Sequence, residues 1–135
     1  MLAVLRAQNL LKSMKDSVLD EVYTNNLPAE EVDDSTRSVA LITDVRSDLA
    51  LPGNDDFHAQ NKEVEVQIYY KLDGDDPDEF ETKLKHLFIQ NGWSMIDNRG
   101  HTVDPGTQQL TATFYFVFLK LKIKKEGMRN ATTWY

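Results

Sequence analysis

The chain has no cysteine. Disulfides, thiolate metal ligands and thiol nucleophiles are excluded together, so packing or assembly rather than cross-linking must hold the fold. Positive charge is also scarce, with 15 Lys and Arg against 22 Asp and Glu, a net charge of −7 and a pI of about 4.9. That balance argues against general nucleic-acid binding, because neutralising phosphates takes a basic surface. The apolar start MLAVL is interrupted by Arg6 and Gln8 and runs on into an amphipathic pattern, which is neither a secretory signal nor an anchor. Without a secretory signal, the sequon at Asn130 is a chance match. Catalytic signatures are missing as well: GxGxxG, GxxxxGKS/T, GxSxG and HExxH do not occur.

What is present is an ordinary globular composition over 135 residues, 41% hydrophobic and 27% charged, which suits one α+β domain over residues 1–125. The longest strand-like run is QQLTATFYFVFLKLKIKK, residues 108–125, rich in β-branched and aromatic residues and free of Gly and Pro. Its apolar residues fall on even positions early (Leu110, Ala112, Phe114, Phe116, Phe118) and on odd ones late (Val117, Leu119, Leu121, Ile123). Such a change of face predicts a bulge, or a segment covered on both sides, near residues 116–119. At about 3.3 Å per residue the run would reach roughly 55 Å, more than one small core requires.

The rest of the chain reads as helix, strand, strand, strand, helix, strand before that final strand. Residues 2–19 carry Val4, Ala7, Leu11, Met14 and Val18 at helical spacing. Residues 21–24 read as a short strand, 30–34 as an acidic loop, and 37–45 as an interior strand. Residues 46–61, RSDLALPGNDDFHAQN, lack periodicity and predict a long loop whose Leu49, Leu51 and Phe57 pack against something. Residues 63–71 alternate cleanly as a strand. Asp76, Pro77 and Glu79 form a helix start, and Asn91-Gly92 a stop near Gln90. Residues 93–96 read as a strand, 97–107 as a loop, and 126–135 as a patternless tail expected to order against a partner. Two helices on one face of a mainly antiparallel or mixed sheet is the packing that follows.

Few constellations carry chemistry. The acids at 73–79 lack the ligand spacing of an EF-hand and suit helix capping. A divalent-metal hydrolase would have to assemble Asp55, Asp56, His58 and His101 from distant positions. No catalytic set, cofactor or metal site is expected. Lys120, Lys122 and Lys124 form a stripe that reads as phosphate or acidic-partner contact, or simply as edge protection. Tyr69, Tyr115 and Trp134 fall off the core faces, where aromatics commonly anchor interfaces.

The segments EVYTNNLPAEE, ALITDV, GNDDFHAQNKEVEVQIYY, FIQNGW and DPGTQQLTATFYF, in that order, resemble the small tail-terminator proteins of long-tailed phages and prophages of Gram-positive bacteria, also called tail-completion or head-tail joining proteins. The resemblance spans about residues 18–121. It implies an α+β subunit of a hexameric ring in the virion that caps the tail tube, halts its polymerisation and meets the neck of the capsid, without enzymatic activity. The implied partners are further copies of the chain, the major tail-tube protein and a head-completion protein, with DNA passing through the ring but not specifically bound. Leu49, Leu51, Phe57, Tyr69, Tyr115, Lys120, Lys122, Lys124 and Trp134 are then candidates for subunit or tube contacts, and Glu63 and Glu65 for a lumen that repels phosphate. Another neck or tail-tube ring protein is the neighbouring alternative. The C-terminal extension KIKKEGMRNATTWY departs from the family pattern.

Overall fold

The computed structural model describes residues 1–53, 56–124 and 132–134, with side chains described outside 50–52, 56–58 and 121–134. The elements are α1 (Ala3–Lys12), β1 (Glu21–Thr24), α2 (Ala29–Val32), β2 (Val39–Gly53), β3 (Asp56–Tyr69), α3 (Asp78–Gln90), β4 (Trp93–Val103), β5 (Leu110–Lys124) and β6 (Thr132–Trp134). The sheet runs β1-β2-β3-β5-β4, with β6 beside the far end of β5. It is mixed, because β1 lies parallel to β2 while β2/β3, β3/β5 and β4/β5 are antiparallel. The fold is therefore α+β, as the order of sequence patterns implies.

Helices α1 and α3 cover one face. Val4, Ala7 and Leu11 of α1 and Phe80, Leu84 and Phe88 of α3 close over Ala40, Ile42, Val64, Val66, Ile68, Ala112, Phe114 and Phe116. Phe88 stacks on Phe116 at 4.2 Å and meets Trp93 edge-on at 5.5 Å. The amphipathic stripe of α1 reaches further in sequence than in space. The helix stops at Lys12, Ser13 Oγ donates to Leu10 O at 2.6 Å, and Asp16 takes a left-handed φ of 56° that no helix interior tolerates. The second helix ends as expected: Asn91 Nδ2 donates to Leu87 O, and Gly92 has φ +90°. At its start Asp76 Oδ1 accepts from the Asp78 amide at 2.9 Å, while Glu79 pairs with Lys83 at 3.3 Å instead of closing a capping box.

Expectations for four segments are corrected. Residues 46–53 and 56–61 belong not to a loop but to the distal half of a long β2–β3 hairpin, paired from Val39 opposite Tyr69 to Gly53 opposite Asp56. Residues 97–103 likewise extend β4, and the acidic stretch at 29–32 winds into the single turn of α2. The bulge expected in β5 is absent, since its pairing with β3 is continuous from Thr111 opposite Tyr69 to Leu121 opposite Ala59. Irregularities fall instead on its neighbours, at Asp44/Arg46 in β2 and at Met95/Asp97 and Asn98/His101 in β4. The even residues of β5 keep to the helix side as far as Phe118, which lies 5.3 Å from Trp93 and under the Arg6 guanidinium at 4.4 Å, while the late odd residues Val117 and Leu119 share the open face with Tyr115, where Leu119 is exposed. Part of the tail also orders within the chain, as Thr132–Trp134 pairs with residues 122–124 of β5.

Candidate assembly surface

Alternation along the strands divides the sheet into a helix-covered face and an open one. On the open face the register sets Tyr69 beside Thr111, Gln67 beside Thr113 and Glu65 beside Tyr115. The Tyr115 hydroxyl donates to Glu65 Oε2, and this hydrogen bond raises the phenol above its ordinary pKa. Arg99 of β4 lies 5.1 Å from the Tyr115 ring centroid, and its Nε donates to Asp97 Oδ2 at 2.9 Å. Tyr69 is half-buried, which raises its pKa, and its hydroxyl donates to Gln67 Oε1 at 3.3 Å. Both tyrosines thus lie off the core, as the pattern implies, but each is held by neighbours on its own face.

The two candidate lumen acids share this face and are likewise engaged. Glu65 takes the Tyr115 hydroxyl, and Glu63 Oε1 stands 3.5 Å from Arg46 Nε, which also meets Asp48 Oδ2 at 3.2 Å. Arg46 reaches Glu63 because the Asp44/Arg46 irregularity brings the two residues opposite each other.

Beyond that irregularity the hairpin becomes an arm carrying Leu49, whose side chain is 65% exposed. Val45 and Leu119 are exposed at its root. Among the described residues nothing covers these three, although Ile42 and Phe116 on the same strands are fully buried. Lys120, opposite Gln60, is half-buried and lines a cleft of about 550 Å³ with Met1, Leu2, Ala3, Asp44, Arg46, Ser47 and Lys62. The side chains of Leu51, Phe57, Lys122, Lys124 and Trp134 lie outside the described residues.

The described parts of the candidate metal set lie apart along the sheet. His101 stands opposite Ala112 and Ala59, next to His58, stands opposite Leu121, nine residues or about 30 Å apart along β5. His101 Nε2 instead lies 2.7 Å from Oε2 of Glu81, a buried acid on α3 that also accepts the Tyr70 hydroxyl at 2.6 Å. Burial, the hydrogen bond to Glu81 and its charge together push the Tyr70 phenol far above its ordinary value. This triad, with Tyr70 and Glu81 buried and His101 at the surface, ties the end of β3 to α3 and β4 and has no signature in sequence spacing because its members lie far apart in the chain. Asp55 and the side chains of Asp56 and His58 are outside the described residues. Among the described residues no group of three or more His, Asp and Glu could hold a metal ion, and no described helix is long and apolar enough to cross a membrane.

No curated protein matches the chain. A family profile described as "Protein of unknown function (DUF806)" matches residues 2–119, which takes in both helices of the body and the sheet as far as Leu119. The chain therefore belongs to the DUF806 family.

Proposed function

We propose that this protein is a tail terminator of a long-tailed phage or prophage, a structural subunit that forms a ring, of six copies by analogy with the proteins it resembles, caps the tail tube, stops its growth and joins it to the neck of the head. The observation that carries the reading is the β2–β3 arm. Its strands run on past the helix-covered core with Val45, Leu49 and Leu119 exposed, and strand length that a subunit does not bury for itself is material for contact with others. The ordered series of segments resembling tail terminators supports the same reading, and the acidic balance of the chain suits a ring through which DNA slides without being held. In this role the protein acts in the virion, with the tube protein and a head-completion protein as neighbours, and does its work by geometry rather than by catalysis.

Electron microscopy of particles assembled without this chain tests the reading. Overlong tubes or tails left unjoined from heads are expected, and normal tails on filled heads would overturn it. A stopper, adaptor or tube subunit would differ in the phenotype: loss of a tube subunit abolishes tubes altogether, and loss of a stopper leaves tube length unchanged.

A further inference from the structure

Because β1 and β2 are parallel neighbours, the chain between them, residues 25–38, has to cross one face of the sheet. Val22 of β1 joins the core beneath α1, so Tyr23 beside it points the other way, and the connection that meets Tyr23 lies on the open face. The chain leaves β1 through Asn25, whose φ of 72° is left-handed. It is fixed again where Ser35 O accepts the Leu72 amide at 2.9 Å and Arg37 O accepts from Gln109 Nε2 at 3.4 Å.

Between those anchors little holds the segment to the sheet. The amides of Asn26, Glu31 and Asp34 donate to Thr24 O, Pro28 O and Glu31 O, all within the connection or at its root. Leu27 and Pro28 are half-buried, Val32 is 52% exposed, and the one fully buried side chain from 26 to 34 is Glu31. Its carboxylate is gripped from two sides: the Tyr23 hydroxyl donates to Oε2 at 2.9 Å, and Arg37 Nε stands 3.0 Å from Oε1. Opening such a contact returns carboxylate and guanidinium to water and uncovers little apolar surface, so it does not require the core to open. Glu81 also meets a tyrosine and a basic side chain, but its helix buries Phe80, Leu84 and Phe88 besides, which keeps α3 in place.

We infer that residues 26–34 are a strap that lifts from the open face separately from the rest of the fold, with Glu31 as its catch. Tyr23 lies in one row with Leu41, Gln67 and Thr113 across β1, β2, β3 and β5. Closed, the strap engages the β1 end of that row; open, it frees the Tyr23 hydroxyl and extends the open face to β1. The device belongs to the single subunit and stands apart from the ring reading.

Hydrogen exchange of the intact chain, followed by NMR at single amides in low concentrations of guanidinium chloride, tests the strap. Once lifted, a single helical turn cannot hold its own hydrogen bonds, so the Glu31 and Asp34 amides report its opening. In the wild type they are expected to exchange more slowly than in a free peptide of the same sequence, but faster than the amides of Ile42, Val66 and Phe114. Their rates should be nearly independent of denaturant, because the opening exposes little surface, whereas the strand amides should speed up steeply. Glu31→Ala is expected to speed the strap amides by about tenfold or more, toward the free-peptide rate. Tyr23→Phe, which keeps the Arg37 pair, should fall between that variant and the wild type. Strap amides that follow the same denaturant dependence as the strands would show that the segment opens only with the whole fold, and would overturn the inference. Free-peptide rates in the wild type would overturn it as well, since there would be no closed state, and rates unchanged in both variants would remove Glu31 as the catch.

Discussion

The body of the sheet and the arm that leaves it are made of the same strands, with one slip of the β2–β3 ladder between Asp44 and Arg46, yet they differ in what their side chains meet. In the body, Ile42, Val64, Val66, Phe114 and Phe116 have no exposure because α1 and α3 lie over them. Past Asp44 on β2 the helices end, and Leu49, on the same side of the sheet as Val64, is open to solvent. The difference teaches that strand pairing and core formation are separable here: hydrogen bonding extends β2, β3 and β5, while burial is decided by how far two helices reach.

The comparison can be broken most strongly in the body. Phe88 stacks on Phe116 and touches Trp93, so Phe88→Ala leaves a cavity among rings that cannot collapse into it. A loss of about 3–5 kcal/mol is expected in denaturant or thermal unfolding, and a loss below about 1 kcal/mol would show that the body is not the stable half.

Next comes the triad of Tyr70, Glu81 and His101. Tyr70→Phe deprives Glu81 of a hydrogen bond and is expected to cost about 1–3 kcal/mol near neutral pH. The same residue sets a limit at alkaline pH. Because the folded phenol sits above its ordinary value of 10.0, its contribution is complete below about pH 10 and falls as pH rises beyond it, where the unfolded chain releases the proton and the folded one does not. In Tyr70→Phe that part of the alkaline loss should vanish, which a series of melting curves from pH 8 to about pH 11 would reveal.

Gly92→Ala sharpens the edge of the body. At φ +90° a side chain is strained, and its Cβ would stand 3.2 Å from the Phe118 ring, the last residue of β5 beneath helix cover. A cost of about 1–2 kcal/mol is expected, and stability equal to wild type would mean that this junction yields freely. The smallest effect on stability belongs to the arm. Leu49→Asp should change unfolding by less than about 0.5 kcal/mol, since the side chain is already in water. Light scattering should nevertheless show weaker assembly, and assembly equal to wild type would remove Leu49 from the interface.

How the sequence showed some of this and hid the rest follows from the range of each interaction. The strand at Glu21–Thr24 and the helix ending at Asn91-Gly92 were legible because alternation, helical spacing and a left-handed glycine are local. The distal hairpin was not. Pro52-Gly53 and Asn54-Asp55-Asp56 read as punctuation of a loop, and the stretch lacks alternation because neither face is covered by a helix, so nothing selects apolar residues on one side. In the candidate surface, Tyr69, Tyr115, Glu63 and Glu65 could be assigned to the polar side of their strands from alternation. Their partners Gln67, Arg99, Arg46 and Asp97 could not, apart from Gln67, because three of them depend on which strands are neighbours and where the ladder slips.

By itself the sequence determined that this is an acidic α+β chain without thiol chemistry, with two amphipathic helices and a last strand longer than one core can use. Those properties are sums or short-range periods, and each is written in consecutive residues. Only the tertiary structure decided that β1 runs parallel to β2, that most of the supposed loop is an arm, and that β5 pairs with β3 without a bulge while the ladder slips in β2 and β4 instead. Each of these depends on contacts between residues far apart in the chain, and local patterning places no constraint on which distant segments meet.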